Sequence, residues 1–268
     1  MKTYFKLELK KSLSSWRTKI SILIIIAMFM IPYFQGLSLF KLPFFEGLSF
    51  IDASSDGINC YIKLHHYSYI GFLGPTIAAF IYSTSIISDR KNGFLKRLLE
   101  IIDIKTYLKV KLAVNALVTS IVFIASNCIF ILYLTLFYGV DNGVLDEIMV
   151  GVFPVVYKSS KVIYIILLLV VIAVSSACFS TFMLGATTAV NKKFIAYLLS
   201  IFYAVFTGIF FEIWGANYVV DFNVAELFNL IAYHNLTLTH VIIYDIVLAL
   251  IGIVLLYKVS YKKISALY

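Results

Sequence analysis

Charged residues are scarce in this sequence. Only 13% of its 268 residues are charged, whereas 62% are hydrophobic and the mean hydropathy is +0.96. A soluble domain of this length needs a more highly charged surface, so a soluble enzyme or binding domain is excluded. The apolar residues occur in blocks of about 20, enough to cross a bilayer core of about 30 Å at 1.5 Å per residue. The sequence therefore predicts an all-α membrane protein.

Cysteines are few, and known catalytic motifs are lacking. Cys60, Cys128 and Cys178 form an odd and widely spaced set, which fits neither a disulfide framework nor a zinc site. The nucleotide-binding pattern G-x-x-x-x-G-K-[ST] is missing, as are H-E-x-x-H and G-x-S-x-G. We therefore expect no enzyme activity, no metal site and no cofactor in this chain.

Acidic residues are rare inside the apolar blocks. Glu212 lies at the outer end of the fifth block, and Asp245 lies about one turn inside the sixth. Transporters driven by protons or sodium usually carry ionisable groups near the middle of the membrane. The scarcity of such groups counts against that mechanism without excluding it.

Six blocks are predicted to cross the membrane as helices within a single domain, residues 1–268. The spans are expected at about 20–40, 67–88, 112–137, 162–190, 194–214 and 240–257. The second contains Gly71, Gly74 and Pro75, where a kink or local break is expected. Nineteen residues precede the first block and no small-x-small cleavage site follows it, which indicates an uncleaved span rather than a signal peptide.

Basic residues predict the orientation of the chain. Of the 22 lysines and arginines, 18 fall in residues 1–19, 89–111, 191–193 and 258–268. The positive-inside rule places these segments, and with them both termini, in the cytoplasm. Because the basic residues lie beside apolar blocks, we expect them to face anionic lipid, and we expect no nucleic acid partner.

Residues 1–19 are predicted to form an amphipathic helix on the inner membrane surface. The apolar residues repeat at i, i+4, i+8 and i+11, which places Phe5, Leu9, Leu13 and Trp16 on one face. The basic residues lie off this stripe, as in helices that lie in the plane of a membrane.

The stretch 89–111, between the second and third spans, has a second amphipathic pattern. From Gly93 onward one helical face carries Phe94, Leu95, Leu98, Leu99 and Ile102. Gly93 is expected at a flexible or positive-φ corner where the chain leaves the span. Such a helix either docks a cytoplasmic partner or is an ordinary interfacial helix, and the pattern alone leaves both open.

One run of this stretch, DRKNGFLKRLL at residues 89–99, resembles the cytoplasmic loop of ABC type-2 transporter permeases. That family carries an acidic-Arg-acidic-x-Gly-Thr-x-x-x-Leu-Leu run after its second span. The matching positions here are Asp89, Arg90, Gly93, Leu98 and Leu99, whereas Lys91 and Phe94 depart from the pattern. The start of the chain is similar to the family's basic elbow helix, and the six-span topology also agrees.

The resemblance implies the membrane subunit of a bacterial ABC exporter in the plasma membrane. In that family two six-span subunits, identical or related, enclose a path for a hydrophobic or amphipathic cargo such as a peptide, a bacteriocin, a lipid-linked molecule or a drug. Two separate ATPase subunits hold ATP and Mg²⁺. A short helix at 225–236 would cap the outer side. The alternative is a non-transport membrane protein, such as an assembly or sensory partner.

By the same resemblance, the loop after the second span is a coupling helix that passes the motion of the ATPase to the spans. The residues expected to couple are Asp89, Arg90, Gly93, Phe94, Leu95, Leu98 and Leu99. Asp89 and Arg90 are expected to make charged contacts with the ATPase or with lipid headgroups.

Small residues form a stripe on the fourth span, where Ala173, Ala177, Thr181 and Gly185 are each four apart. Small stripes allow helices to approach closely. The stripe is therefore expected to be a packing seam, either inside the subunit or between subunits.

The four histidines are predicted on the outer side, near the membrane boundaries: His65, His66, His234 and His240. The neighbouring His65 and His66 are candidates for metal binding or pH sensing, although interfacial histidines usually do neither.

Overall fold

The computed structural model describes residues 2–36, 56–141, 151–190, 192–214, 222–231 and 236–265, with no strand among them. The helices are α1 (Lys2–Leu13), α2 (Trp16–Gly36), α3 (Gly57–Tyr67), α4 (Ile70–Tyr82), α5 (Ser85–Lys91), α6 (Phe94–Leu99), α7 (Ile104–Tyr138), α8 (Pro154–Ser159), α9 (Lys161–Thr187), α10 (Lys193–Trp214), α11 (Val224–Phe228), α12 (Leu238–Leu255) and α13 (Tyr261–Ser265). A π-helical turn, Leu256–Ser260, joins the last two without a break.

Six helical stretches are long and apolar enough to cross a membrane, which confirms the predicted class. They are Trp16–Phe34, Ile70–Lys91, Ile104–Tyr138, Lys161–Thr187, Lys193–Phe211 and Leu238–Ser265. The largest differences from the prediction are in the sixth span, which continues to Ser265 instead of about 257, and in the third, whose helix begins at Ile104 instead of about 112. Asp103 caps this helix, since its carboxylate accepts a hydrogen bond from the backbone N–H of Thr106 at 2.9 Å.

Successive spans run in opposite directions, so the bundle has two distinct ends. At the end that we call the basic end, the ammonium of Lys263 donates to the carbonyl oxygens of Thr188 and Ala189 at 2.8 and 2.9 Å. At the other, or far, end the backbone N–H of Gly57 donates to the carbonyl oxygen of Gly139 at 2.9 Å. The segments 2–15 and 89–104 lie at the basic end.

The core of the bundle surrounds α9, which packs against α4, α7 and α12. Aromatic rings fill the space towards the far end, where Phe29 and Phe130 stack at 5.0 Å between ring centroids. Buried polar side chains join the spans deeper in the bundle: the amide of Asn115 donates to Ser180 Oγ at 3.0 Å, and Ser175 Oγ donates to Asp245 at 2.7 Å. Hydrogen bonds of this kind link helices where no water is available to satisfy polar groups.

The small-residue stripe of α9 packs against spans of the same chain. A side chain at Gly252 of α12 would lie 2.5 Å from the carbonyl oxygen of Thr181, so the two backbones touch there. Gly185 faces the same glycine. At the other end of the stripe the carbonyl oxygen of Ala173 accepts from Ser120 Oγ of α7 at 2.8 Å. Thr181 and Gly185 thus contact α12, and Ala173 contacts α7, within the chain. That the whole stripe, with Ala177, is a packing seam stays a prediction.

The second span differs from its prediction in where the helix is interrupted. The helix continues through Pro75, and the interruption falls at Ser83 and Thr84, between α4 and α5. Gly74 provides room for a neighbouring element instead: a Cβ there would lie 2.6 Å from Phe228 of α11. Of the short helix expected at 225–236, only the first part is helical, in Val224–Phe228, which packs against α4. Residues 229–231 are not helical, and 232–235 lie outside the described residues. The capping role of this helix on the outer side stays a prediction.

Candidate functional site

The segment between the second and third spans turns sharply at Gly93. This residue has φ 67° and ψ 0°, the left-handed conformation that glycine adopts without steric cost. The helix α6 begins immediately after it, and residues 100–103 lead into α7. Gly93 therefore has the positive φ that its place in the sequence suggested.

The apolar face of α6 packs against a small cluster at the basic end. Leu95 is buried in it, and Leu98, Leu99 and Ile102 are half-buried against it. The other buried members come from five helices or turns: Ile86, Tyr107, Leu108, Leu184, Leu256 and Ile264. The segment is thus anchored to the second, third, fourth and sixth spans by apolar burial.

Phe94 is the exception on this face, since 41% of its side chain is exposed. The ammonium of Lys11 lies 5.3 Å from the centre of its ring, a cation–π contact between α1 and α6.

A buried ion cluster joins three elements directly behind this segment. The ammonium of Lys111, on α7, pairs with the carboxylate of Glu8, on α1, and with that of Asp89, on α5, the latter at 2.7 Å. Tyr82 donates to Glu8 at 2.6 Å, and Tyr107 donates to Asp89 at 3.0 Å. We call Glu8, Asp89 and Lys111 the buried triad.

Charge attraction and hydrogen bonds in the triad offset the free-energy cost of burying its charged groups. Burial by itself raises the pKa of Glu8, but the charge of Lys111 and the hydrogen bonds from Lys111 and Tyr82 outweigh it and hold that pKa below its usual value. Ion pairs of this kind repay their desolvation only while every partner is present. The arrangement therefore fixes α1 to the ends of the second and third spans.

Asp89 is consequently turned into the protein, whereas the resemblance suggested a surface contact with a partner or with lipid. Its neighbour Arg90 lies at the rim and is partly exposed. Sequence reasoning missed Glu8 and Lys111. Glu8 is the one acidic residue in 1–19, next to the apolar stripe, and Lys111 directly precedes the third apolar block. Both are charged residues beside apolar stretches, but nothing in the sequence pairs one with the other.

The N-terminal helix presents most of its stripe to the bundle. Phe5, Leu9 and Leu13 are half-buried against the core, whereas Trp16 is 61% exposed as the first residue of α2. The ring of Trp16 meets Phe80 edge-on at 5.8 Å. That α1 lies on a membrane surface as an elbow stays a prediction.

The outward side of the connecting segment carries apolar and basic groups together. Ile101 is 81% exposed, although it lies outside the six spans, and Lys96 and Arg97 are exposed beside it. A groove of about 460 Å³ runs between this segment and α13, lined in part by Leu99, Ile102 and Tyr261. Together with Phe94 and Ile101, this groove gives the outward side of the segment a partly apolar surface.

The histidines of the far end form no metal site in the described ranges, where no group of three potential ligands occurs. His65 is buried, and burial lowers its pKa to about 4 although Asn229 lies at 3.2 Å from its Nδ1. His240 lies 3.4 Å from the carboxylate of Glu226. His234 lies outside the described residues.

Comparison of the chain with protein-family models, with curated proteins and with solved structures gives no match.

Proposed function

We propose that this chain is the membrane-spanning subunit of an ATP-driven exporter of the ABC type-2 kind. One observation carries the proposal: residues 93–102 expose Phe94 and Ile101 outside the spans, while the rest of the same segment is anchored to them. Exposed apolar residues rimmed by polar ones are typical of protein–protein contacts. The chain has no nucleotide-binding motif, so energy for transport has to enter through such a surface.

The buried triad suggests how motion at this surface reaches the spans. A partner that displaces α6 pulls on α5 through Gly93 and on α7 through residues 100–103. Lys111 couples both helices to α1, because its ammonium binds Asp89 and Glu8 together. These contacts are the route by which we propose that displacement of α6 reaches the three elements together.

The complete transporter that we propose contains two six-span subunits and two ATPase subunits in a bacterial plasma membrane. ATP and Mg²⁺ bind to the ATPase subunits. The cargo is hydrophobic or amphipathic and leaves the cell along the path between the two membrane subunits.

The test compares two exposed side chains at opposite ends of the bundle. Ile101 and Val155 are 81% and 79% exposed, and both are β-branched aliphatic residues. The chain, tagged and purified from native membranes, should retain an ATPase. Ile101→Asp should lose that subunit and its stimulated ATP hydrolysis, whereas Val155→Asp should keep both.

Two results would refute the proposal. If no ATPase accompanies the wild-type chain, the alternative of an assembly or sensory protein gains support. If Ile101→Asp retains the ATPase as well as Val155→Asp does, the connecting segment is not the docking surface.

A further inference from the structure

A polar crevice lies at the basic end, beside the buried triad, and Glu8 and Asp89 of the triad line it. It is bounded by α1, the turn at residues 14–15, the first turn of α2 and the end of the second span. Its volume is about 140 Å³. A water molecule takes about 30 Å³ in the liquid, so a group of several heavy atoms fits.

Two buried hydroxyl groups in the crevice have no hydrogen-bond partner among the described residues. They are Ser12 Oγ, whose residue is 5% exposed, and Ser85 Oγ. A buried polar group without a partner is costly, and few occur in folded proteins. Both serines line the crevice, so a ligand with acceptor oxygens is one way to satisfy their hydroxyl groups.

Two cations of the crevice form no close ion pair within the described ranges, although the charge of Lys11 acts on Glu8. Lys11 and Arg17 line the crevice, and in the described part of the chain neither forms an ion pair. Lys91 and Arg17 also repel Lys193, at the start of α10. The two carboxylates of the crevice, Glu8 and Asp89, already bind Lys111. The remaining charge is positive, which favours an anion.

The crevice lies at the start of the first candidate span. Trp16, on its wall, is the first residue of a span and is largely exposed, as tryptophans at membrane interfaces are. One and two turns further along α2, Ile20 and Leu23 present apolar side chains outward. A ligand in the crevice therefore has apolar surface beside it for acyl chains.

We propose that this crevice binds the phosphate group of an anionic phospholipid. Arg17 supplies planar N–H donors, one of which already binds Thr84 Oγ1 at 3.0 Å and so fixes the guanidinium. Lys11 adds a point charge, and Ser12 and Ser85 donate hydroxyl hydrogen bonds. Because residues of α1 and of the second span both line the crevice, the bound phosphate would contact both elements.

The experiment uses Trp16 as its reporter. The chain has two tryptophans, so Trp214→Phe leaves Trp16 as the single one. The protein is placed in nanodiscs that contain equal small fractions of brominated phosphatidylglycerol or brominated phosphatidylcholine, and quenching of Trp16 fluorescence is measured. We expect stronger quenching by the anionic lipid. The ratio of its quenching to that of phosphatidylcholine gives the enrichment of anionic lipid beside Trp16, and this enrichment should fall about fivefold in Arg17→Gln or Lys11→Gln.

Two variants distinguish binding of the lipid in this crevice from a general attraction of anionic lipid to basic residues. Lys10→Gln removes an equal charge from an exposed position of the same helix and should leave the enrichment unchanged. Ser12→Ala removes one hydroxyl without changing charge and should lower the enrichment. Equal quenching by the two lipids, or equal losses in Lys10→Gln and Lys11→Gln, would overturn the proposal.

Inorganic phosphate distinguishes a lipid from a free anion. Phosphate added at constant ionic strength should leave the enrichment in place, because a free anion has no acyl chains to bind α2. If phosphate abolishes the enrichment, the crevice is a free-anion site and the lipid assignment fails. The assay contains no ATPase, so its result is independent of the exporter proposal.

Discussion

The ammonium of Lys111 and the carboxylate of Asp89 meet at 2.7 Å inside the protein, and both side chains are almost fully shielded from solvent. This contact joins the end of the second span to the third span, across the segment that we propose to receive an ATPase. Glu8 binds the same ammonium from the N-terminal helix. The pairing therefore connects the proposed docking surface to the helices that it would move.

Removing the shared cation should destabilise the protein strongly. Lys111→Met leaves two buried carboxylates without a counter-ion, which costs about 3–5 kcal/mol. Thermal unfolding in detergent measures the loss. The matched control adds Glu8→Gln and Asp89→Asn, and this triple variant should recover most of the stability because it buries no charge. If Lys111→Met unfolds at the wild-type temperature, the triad does not hold these elements together.

The turn at Gly93 should depend on backbone conformation rather than on space. A Cβ at Gly93 meets no atom within 4 Å, but its φ of 67° costs an ordinary L-residue about 1–2 kcal/mol. Asn tolerates this region better than other side chains. We expect Gly93→Val to lose coupling of ATP hydrolysis to transport while Gly93→Asn keeps most of it. If both variants couple ATP hydrolysis to transport as well as the wild type does, the turn is not required.

The six spans could be predicted from the sequence because each is a long apolar block, and the length of such a block is set by the bilayer. The triad could not, since Glu8 and Lys111 are 103 positions apart and no periodicity pairs them. The sequence did not predict the helix α3 either, for a different reason. Its sequence mixes histidine and lysine with apolar residues, although Asp56 caps it by accepting from the backbone N–H groups of Ile58 and Asn59 at 2.9 Å each.

Burial of His65 should make the stability of the protein depend on pH. Its pKa is about 4 in the folded chain, below the usual value of about 6.5. The folded state therefore keeps the imidazole neutral while the unfolded state takes up a proton. Stability should fall as the pH drops from about 6.5 towards 4, by up to a few kcal/mol. His65→Gln should flatten the unfolding temperature over this range. An unchanged slope would contradict the assignment.

The orientation of the chain is testable with reporter fusions. The basic residues predict that Asn92 and Asn191 lie in the cytoplasm, and that Asn142 and Asn217 lie outside. A phosphatase reporter active only outside should be active at the second pair, and a fluorescent reporter that folds only in the cytoplasm should give signal at the first. Phosphatase activity at Asn92 would place the connecting segment on the wrong side for an ATPase.

The fifth span should be the contact between two membrane subunits. It is the least buried of the six, with 22% of its membrane window inside the protein. Three of its exposed rings form a ladder, with Phe202 and Phe206 stacked at 5.9 Å, and Phe206 and Phe210 at 5.8 Å. Stacked aromatic rings offer a rigid surface of large area. We expect another helix to pack on such a surface in preference to mobile acyl chains.

Cysteine cross-linking tests this contact. In a Cys128→Ser background, Phe206→Cys should join two six-span subunits, either two copies of this chain or one copy and a relative. Val170→Cys on α9 is the matched control, because Phe206 and Val170 are 54% and 53% exposed and lie at similar distances from the far ends of their helices. It should stay uncross-linked, since its exposure is to lipid alone. Cross-linking of both positions to the same extent would indicate random collision, and cross-linking of Val170→Cys alone would move the contact to the fourth span.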